Sequence, residues 1–275
     1  MVKFMVEKEV KKEKEIEEFY NILSKKYEKE HAKRFCDDVL EYLLLKFLPG
    51  KSKLKILDAG GGIGRFSFPL AKKGHKIILT DVSGGMLKEA KRIANKSKLQ
   101  NITFLKESVI NMKHQKDNSF DVVLVMNAIL DYCGNHKKAS REIFRVLKPN
   151  GILMGNVNNR YIYSTTHELK DGDFKEFEKV MKNGDRYIIW GGAKTGHITH
   201  EFTLEELKND FSKKGFRIID VLGVFNLLGK YAEPKWLNNP KKRKKYLELQ
   251  IKYAQKKEYL NNSWDFFFVA KKPAR

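Results

Sequence analysis

Seven short apolar runs punctuate the chain, at residues 54–59, 76–81, 102–107, 120–126, 151–157, 216–224 and 264–271. Most are continuous rather than alternating, the pattern of strands buried on both faces of a mainly parallel sheet. Between them apolar positions recur at helical spacing, as in 85–94, 137–147 and 204–213. Strands alternating with helices predict an α/β fold, a doubly wound seven-stranded sheet. Residues 1–50 read as N-terminal helices, one highly charged to about Glu18 and a second from Phe19 to about Phe47, with Phe19, Tyr20, Ile22, Leu23 and Tyr27 as an apolar stripe. Residues 51–275 form the main domain, interrupted by insertions at about 158–202 and 226–262. These are too long for plain loops and are expected to be structured. Together with 1–50 they are expected to cap the carboxyl ends of the strands, where open α/β sheets bind ligands.

Length and composition narrow the function. A chain of 275 residues suits one sizeable core with embellishments. No apolar stretch approaches a membrane span, and the start, from Met1 to Glu7, lacks the apolar centre of a signal peptide, so a cytoplasmic protein with no membrane partner is expected. Cys36 and Cys133 are too few for a disulfide framework and form no Cys-x-x-Cys pair. They are expected to be reduced bystanders. The net charge of +21 brings nucleic acid into consideration. The basic residues are mixed with acidic ones along most of the chain, however, which is the mark of solvated helix faces. The densest group, Lys241, Lys242, Arg243, Lys244 and Lys245, follows Asn238-Asn239-Pro240, a helix-start signal.

The chemistry is concentrated where the first apolar run enters Asp58-Ala-Gly60-Gly-Gly62-Ile-Gly64. Glycines there let backbone N–H groups approach a ligand that side chains would block, and the following helix directs its positive end to the same place. Asp81 closes the next strand, where a carboxylate can hold both hydroxyls of a ribose. A nicotinamide dinucleotide loop requires a sixth-position glycine, but counting from Gly60 or Gly62 that position is Arg65 or Ser67. Asp-x-Gly-x-Gly-x-Gly instead resembles the first motif of class I S-adenosylmethionine-dependent methyltransferases. Ser119–Met126 resembles that family's fourth strand, and Arg141–Gly151 its following helix, turn and fifth strand. The resemblance spans roughly Lys53 to Asp220 and implies an antiparallel last strand at 264–271.

The resemblance also implies roles. S-adenosyl-L-methionine would be the cofactor, with Gly60, Gly62 and Gly64 beside its methionine moiety, Asp58 facing its ammonium, Asp81 on the ribose and Val82 beside the adenine. The family's acidic adenine contact after the third strand is missing. Here the run is Glu107-Ser108, and Ser108 takes that place by alignment, with Glu107 as the alternative after a one-residue slip. Asn127 would line the pocket below the acceptor, with Ile129, Asp131 and Tyr132 close by. Tyr20 or Tyr27 would close over the methionine end from an N-terminal helix. His197 and His200 are the candidate acceptor bases, and no metal is expected, because His197-x-x-His200 has no further ligands near it in sequence. Asn127-Ala-Ile-Leu130 lacks the proline-rich motif of amino-methylating nucleic-acid enzymes, and Cys133-Gly134 does not fit a cysteine nucleophile. The expected reaction is transfer to a small-molecule acceptor. RNA methylation and non-catalytic cofactor binding are the alternatives.

Overall fold

The computed structural model describes residues 11–24, 35–50, 53–188, 196–230 and 234–274. Its main sheet has seven strands in the order β3-β2-β1-β4-β5-β9-β8, where β1 is Lys55–Ala59, β2 Lys76–Asp81, β3 Ile102–Lys106, β4 Phe120–Val125, β5 Leu147–Asn158, β8 Arg217–Val224 and β9 Asp265–Lys271. The first five pair in parallel, while β9 lies between β5 and β8 and runs antiparallel to both. The expected doubly wound sheet with an antiparallel last strand is therefore the observed one. Strand β5 starts at Leu147, four residues early, because the register shifts between Phe120 and Val122 and Asn150 adopts a left-handed turn (φ 65°).

Successive residues divide the continuous apolar runs between two cores. Val122, Leu124 and Phe267 face α2 (Phe35–Phe47) and α3 (Ser67–Lys72), where Leu43, Leu44 and Leu70 are buried. Val123, Val125, Phe266 and Phe268 face the other way, onto α6 (His136–Val146) and α9 (Leu204–Lys213), through Ile143, Leu207 and Phe211. At the opposite end of the sheet from the glycine loop, buried His75 accepts the Leu54 N–H through Nδ1 at 3.2 Å, a structural role.

Three features depart from the expected elements. Residues 11–24 form one helix, α1, that runs straight through the expected break at Glu18. The 158–202 insertion contains α7 (Arg160–Ser164), a π-helical turn at Thr165–Leu169, α8 (Phe174–Asn183) and an antiparallel hairpin of β6 (Asp185–Ile188) and β7 (His197–His200). The 226–262 insertion carries a 3-10 turn at Lys235–Asn238, then α10 (Pro240–Tyr253) and α11 (Lys257–Asn261), and α10 packs against α2 and β8. None of its described residues lines the main pocket, but Lys230 reaches the carboxyl end of β5, where its Nζ donates to Asn158 Oδ1 at 3.3 Å.

Candidate functional site

A pocket of about 930 Å³, its open mouth included, lies at the carboxyl ends of β1, β2 and β4. One side belongs to the glycine loop. Gly60, Gly61 and Gly62 line it, and Gly60 and Gly61 both donate to Thr80 O across the parallel strand pair, at 2.8 and 2.9 Å. Gly62 has φ +55°, and a Cβ built there would meet no protein atom within 4 Å. Its lack of a side chain therefore serves an open backbone facing the pocket, not packing. Gly64 differs. A Cβ there would strike the Phe68 ring at 2.4 Å, and Gly64 is not among the pocket walls. The sequence placed it with the ligand, but it makes room for the first turn of α3.

The two acidic residues are buried and held. Asp58 Oδ2 accepts from Ser67 Oγ at 2.7 Å. Asp81 accepts the Gly62 N–H at 2.9 Å and the Ser83 N–H at 2.8 Å, one on each oxygen. Burial is the main cause that pushes both carboxyls up to about 6, opposed by these hydrogen bonds. A carboxylate has about four lone-pair sites, so with the Val82 N–H also directed at it Asp81 retains accepting capacity for a further donor. Val82 and Ser108 lie in the same wall. Glu107 also lines it, and its oxygens accept from His114 N at 2.7 Å and Gln115 Nε2 at 2.6 Å, while Ser108 Oγ accepts the Ile110 N–H at 3.3 Å. Both residues thus stand in the wall with local partners.

The opposite side is apolar. After β4, Asn127 and Ala128 both adopt left-handed backbone (φ 57° and 62°), and the Asn127 N–H donates to Asn156 Oδ1 at 2.8 Å. For non-glycine residues this is strained, and such strain collects at functional sites. The turn throws α5 (Ile129–Tyr132) across the pocket mouth, and Asn127, Ile129, Tyr132 and Cys133 line it. Asp131 points away. Its Oδ1 accepts the Asn158 N–H at 2.8 Å, and burial holds its carboxyl well above the usual range. Burial likewise pushes the Cys133 thiol up to about 12, which disfavours the thiolate.

Helix α1 closes the third side with Glu13, Ile16 and Tyr20. Phe19 and Leu23 bury themselves against Ile63 and Met86. Asn21 Oδ1 accepts from Ser83 Oγ at 2.8 Å and from the Gly85 N–H at 2.9 Å, which latches α1 to the start of α4 (Gly84–Lys96). The sequence picked out Tyr20 but passed over Asn21, Ser67 and Arg65, a pocket-wall residue whose Nη1 pairs with Asp37 of α2 at 2.6 Å. None stands in a motif; only the fold shows that they converge. Tyr27 lies outside the described residues.

The histidine pair separates. His197 is 2% exposed, neither ring nitrogen has a hydrogen-bond partner among the described residues, and its ring meets Phe19, Tyr20 and Tyr132 with centroids 4.9, 6.2 and 6.0 Å away. Burial lowers its pKa to about 4. It therefore stays neutral, directly behind two tyrosines of the pocket wall. His200 belongs to a separate cluster with His136 and Glu206. Linear spacing gave no sign of those partners, because they come from α6 and α9.

A model of the methyltransferase domain matches residues 50–215. The chain is 25% identical over 228 residues to the tRNA 5-carboxymethoxyuridine methyltransferase of Escherichia coli (strain K12), covering 82% of each protein. It is 28% identical over 217 residues to the demethylmenaquinone methyltransferase of Lactococcus lactis subsp. lactis, covering 76% of this chain and 84% of that one. The solved structure of a SAM-dependent methyltransferase from Methanosarcina mazei superposes with a TM-score of 0.61 at 20% identity, covering 85% of this chain and 98% of the other, a likeness of fold. Among the described residues no helix is long and apolar enough to cross a membrane.

Proposed function

The chain belongs to the methyltransferase-domain family of class I S-adenosylmethionine-dependent enzymes, and from that premise we propose that it methylates a small, largely apolar acceptor held beneath α1. Two features of the pocket fit the cofactor: the side-chain-free backbone at Gly62, where a Cβ would meet nothing, and a buried Asp81 with accepting capacity left over. Asp81 would take the ribose hydroxyls, Asp58 the ammonium, directly or through water, and the backbone at Gly60 and Gly62 would lie along the methionine moiety. Val82 and Ser108 would frame the adenine, and Asn127 and Tyr20 would bound the end that carries the methyl group. Bound there, S-adenosylmethionine supplies an electrophilic methyl group on its sulfonium.

What is left for the chain is alignment, exclusion of water and, for an acidic acceptor group, removal of a proton. Ile16, Ile129, Tyr132 and Cys133 exclude water. His197, neutral behind Tyr20 and Tyr132 and outside the pocket wall, would take the proton or bond to the acceptor only where those tyrosines part to admit it. The observation that carries the small-acceptor reading is the cover itself: α1 is latched over an apolar pocket, whereas the densest basic residues lie on α10, away from it. The runner-up is RNA, supported by the tRNA-modifying E. coli relative. Radiolabelled S-adenosylmethionine incubated with the protein and either a small-molecule extract or bulk tRNA separates the two. Label entering the small-molecule fraction is expected; label entering tRNA alone would reverse the choice.

A further inference from the structure

Side chains alternate along a strand, so His197 and His200 leave β7 on opposite faces. On the face away from the pocket, one ligand-competent atom from each of His136, His200 and Glu206 lies within 4.8 Å of the others. The three come from α6, β7 and α9. The two imidazoles stack with centroids 4.3 Å apart. Each is backed by a carboxylate: His200 Nδ1 is 2.9 Å from Asp185 Oδ1, and His136 Nε2 is 3.0 Å from Asp210 Oδ2. His200 Nε2 faces Glu206 Oε1 at 3.0 Å, and Arg160 of α7 binds the other oxygen of Glu206, which fixes the direction of Oε1. Carboxylates that fix the tautomer and orientation of an imidazole are the usual surroundings of metal-ligating histidine. Within this hydrogen-bonded set three carboxylates face one guanidinium and two imidazoles, an arrangement rich in anionic oxygen.

We propose that His136, His200 and Glu206 bind a divalent transition metal ion of the zinc type, which ties the β6–β7 hairpin to α6 and α9. Two imidazole nitrogens and one carboxylate oxygen suit zinc or cobalt, with a fourth position open to water. The ion stands across the strand from His197 and takes no part in methyl transfer. It would set where the hairpin, and so the aromatic wall behind the acceptor, comes to rest.

The test uses the full chain freed of metal with a chelator, titrated with Zn2+ by calorimetry and with Co2+ by visible absorption. The expected result is saturable binding of a single ion, the visible bands of a four-coordinate nitrogen–oxygen site, and a higher Tm in the loaded protein. Asp185→Asn should weaken binding by about ten- to a hundredfold, and His136→Gln and Glu206→Gln should weaken it further. Binding of S-adenosylhomocysteine, unchanged in each variant, verifies that the fold survives. Failure of the parent protein to take up either ion at micromolar concentration would overturn the site, and so would variants that bind metal as tightly as the parent.

Discussion

Against β1 and β2 the pocket wall consists of backbone and carboxylates drawn from residues 58–82, each held by a short local hydrogen bond. Against α1 and α5 it consists mainly of apolar and aromatic side chains from residues 16–20 and 126–133, with Glu13 and Asn127 among them and His197 behind. The first half keeps its shape through a turn and two strands. The second depends on packing between segments more than a hundred residues apart. On the proposed function the polar half would recognise the fixed cofactor, and the apolar half would be the surface recut for different acceptors. Relatives that act on a tRNA nucleoside and on a quinone precursor fit that division.

The sharpest break of the polar half is Gly62→Val. Left-handed backbone costs a β-branched residue about 1–3 kcal/mol, and the side chain would occupy space facing the pocket. Binding of S-adenosylhomocysteine should fall below calorimetric detection in a protein whose circular dichroism is unchanged. Gly64→Ala is the control within the same motif. It should lower Tm, since the Phe68 ring must move, while the variant that folds still binds cofactor. Equal loss of binding in both would return Gly64 to the ligand wall.

In the apolar half His197→Phe should leave cofactor affinity intact and reduce kcat/KM on the true acceptor by about 10² to 10⁴ if the imidazole accepts the proton. The same change should stabilise the fold in acid. The unfolded histidine gains a proton below about 6.5 and the folded one only below about 4, so the group's contribution falls as pH drops through that window, by roughly 3 kcal/mol at most. Urea denaturation at pH 7 and pH 4.5 should show the gap between parent and variant opening at the lower pH. A catalytic loss with no acid stabilisation would mean that the ring is already solvated, and that the dry wall described here is wrong.

The difference between the halves also explains what could be read beforehand. Asp58, Gly60, Gly62 and Asp81 were legible because strand, turn and strand lie within 25 residues and the turn needs glycine. The turn at Asn127 and Ala128 was not, since neither residue announces left-handed backbone. The β6–β7 hairpin escaped because its strands, Asp185–Ile188 and His197–His200, are four residues long and mostly polar. Helix α1 was broken too early at Glu18, where the charged stretch gives way to the apolar stripe. Charge density set the boundary there, yet Ile16, Phe19 and Leu23 lie on one continuous buried face.

A smaller effect comes from Asp81→Ala, expected to weaken cofactor binding by about 1.5 to 3 kcal/mol, the range for hydrogen bonds to a charged group. Below pH 6 the parent should drift toward the variant. Burial raises Asp58 and Asp81 to about 6, and a cationic cofactor prefers them ionised, so affinity should rise from pH 5 to pH 7, at about 1.4 kcal/mol per unit for each group while it titrates. Without cofactor the sign reverses: the folded chain binds more protons than the unfolded one between 3.8 and 6, and these two carboxyls cost stability as pH climbs through 6. A flat profile in calorimetry would show that neither carboxylate meets the cofactor.

The smallest effects are expected from the feature that dominates the composition. Lys241, Lys242, Lys244 and Lys245 are exposed on α10, while Arg243 pairs with Asp38 at 2.6 Å and lies 5.2 Å over the Phe35 ring. Replacing all five with Gln removes two surface ion pairs, Arg243–Asp38 and Lys245–Glu248, and one cation–π contact, each worth about 1 kcal/mol or less. Tm should fall slightly, and cofactor affinity and small-molecule turnover should not change, because α10 packs on α2 and lines no part of the pocket. RNA makes the opposite demand. An enzyme that neutralised several phosphates with this helix would bind with an affinity falling steeply in salt, and each lost contact would flatten the slope by nearly one unit. If the five-residue variant shows that flattening on tRNA and loses methyl incorporation with it, the apolar half of the pocket receives a single base presented by α10, and the cover formed by α1 must open to admit it.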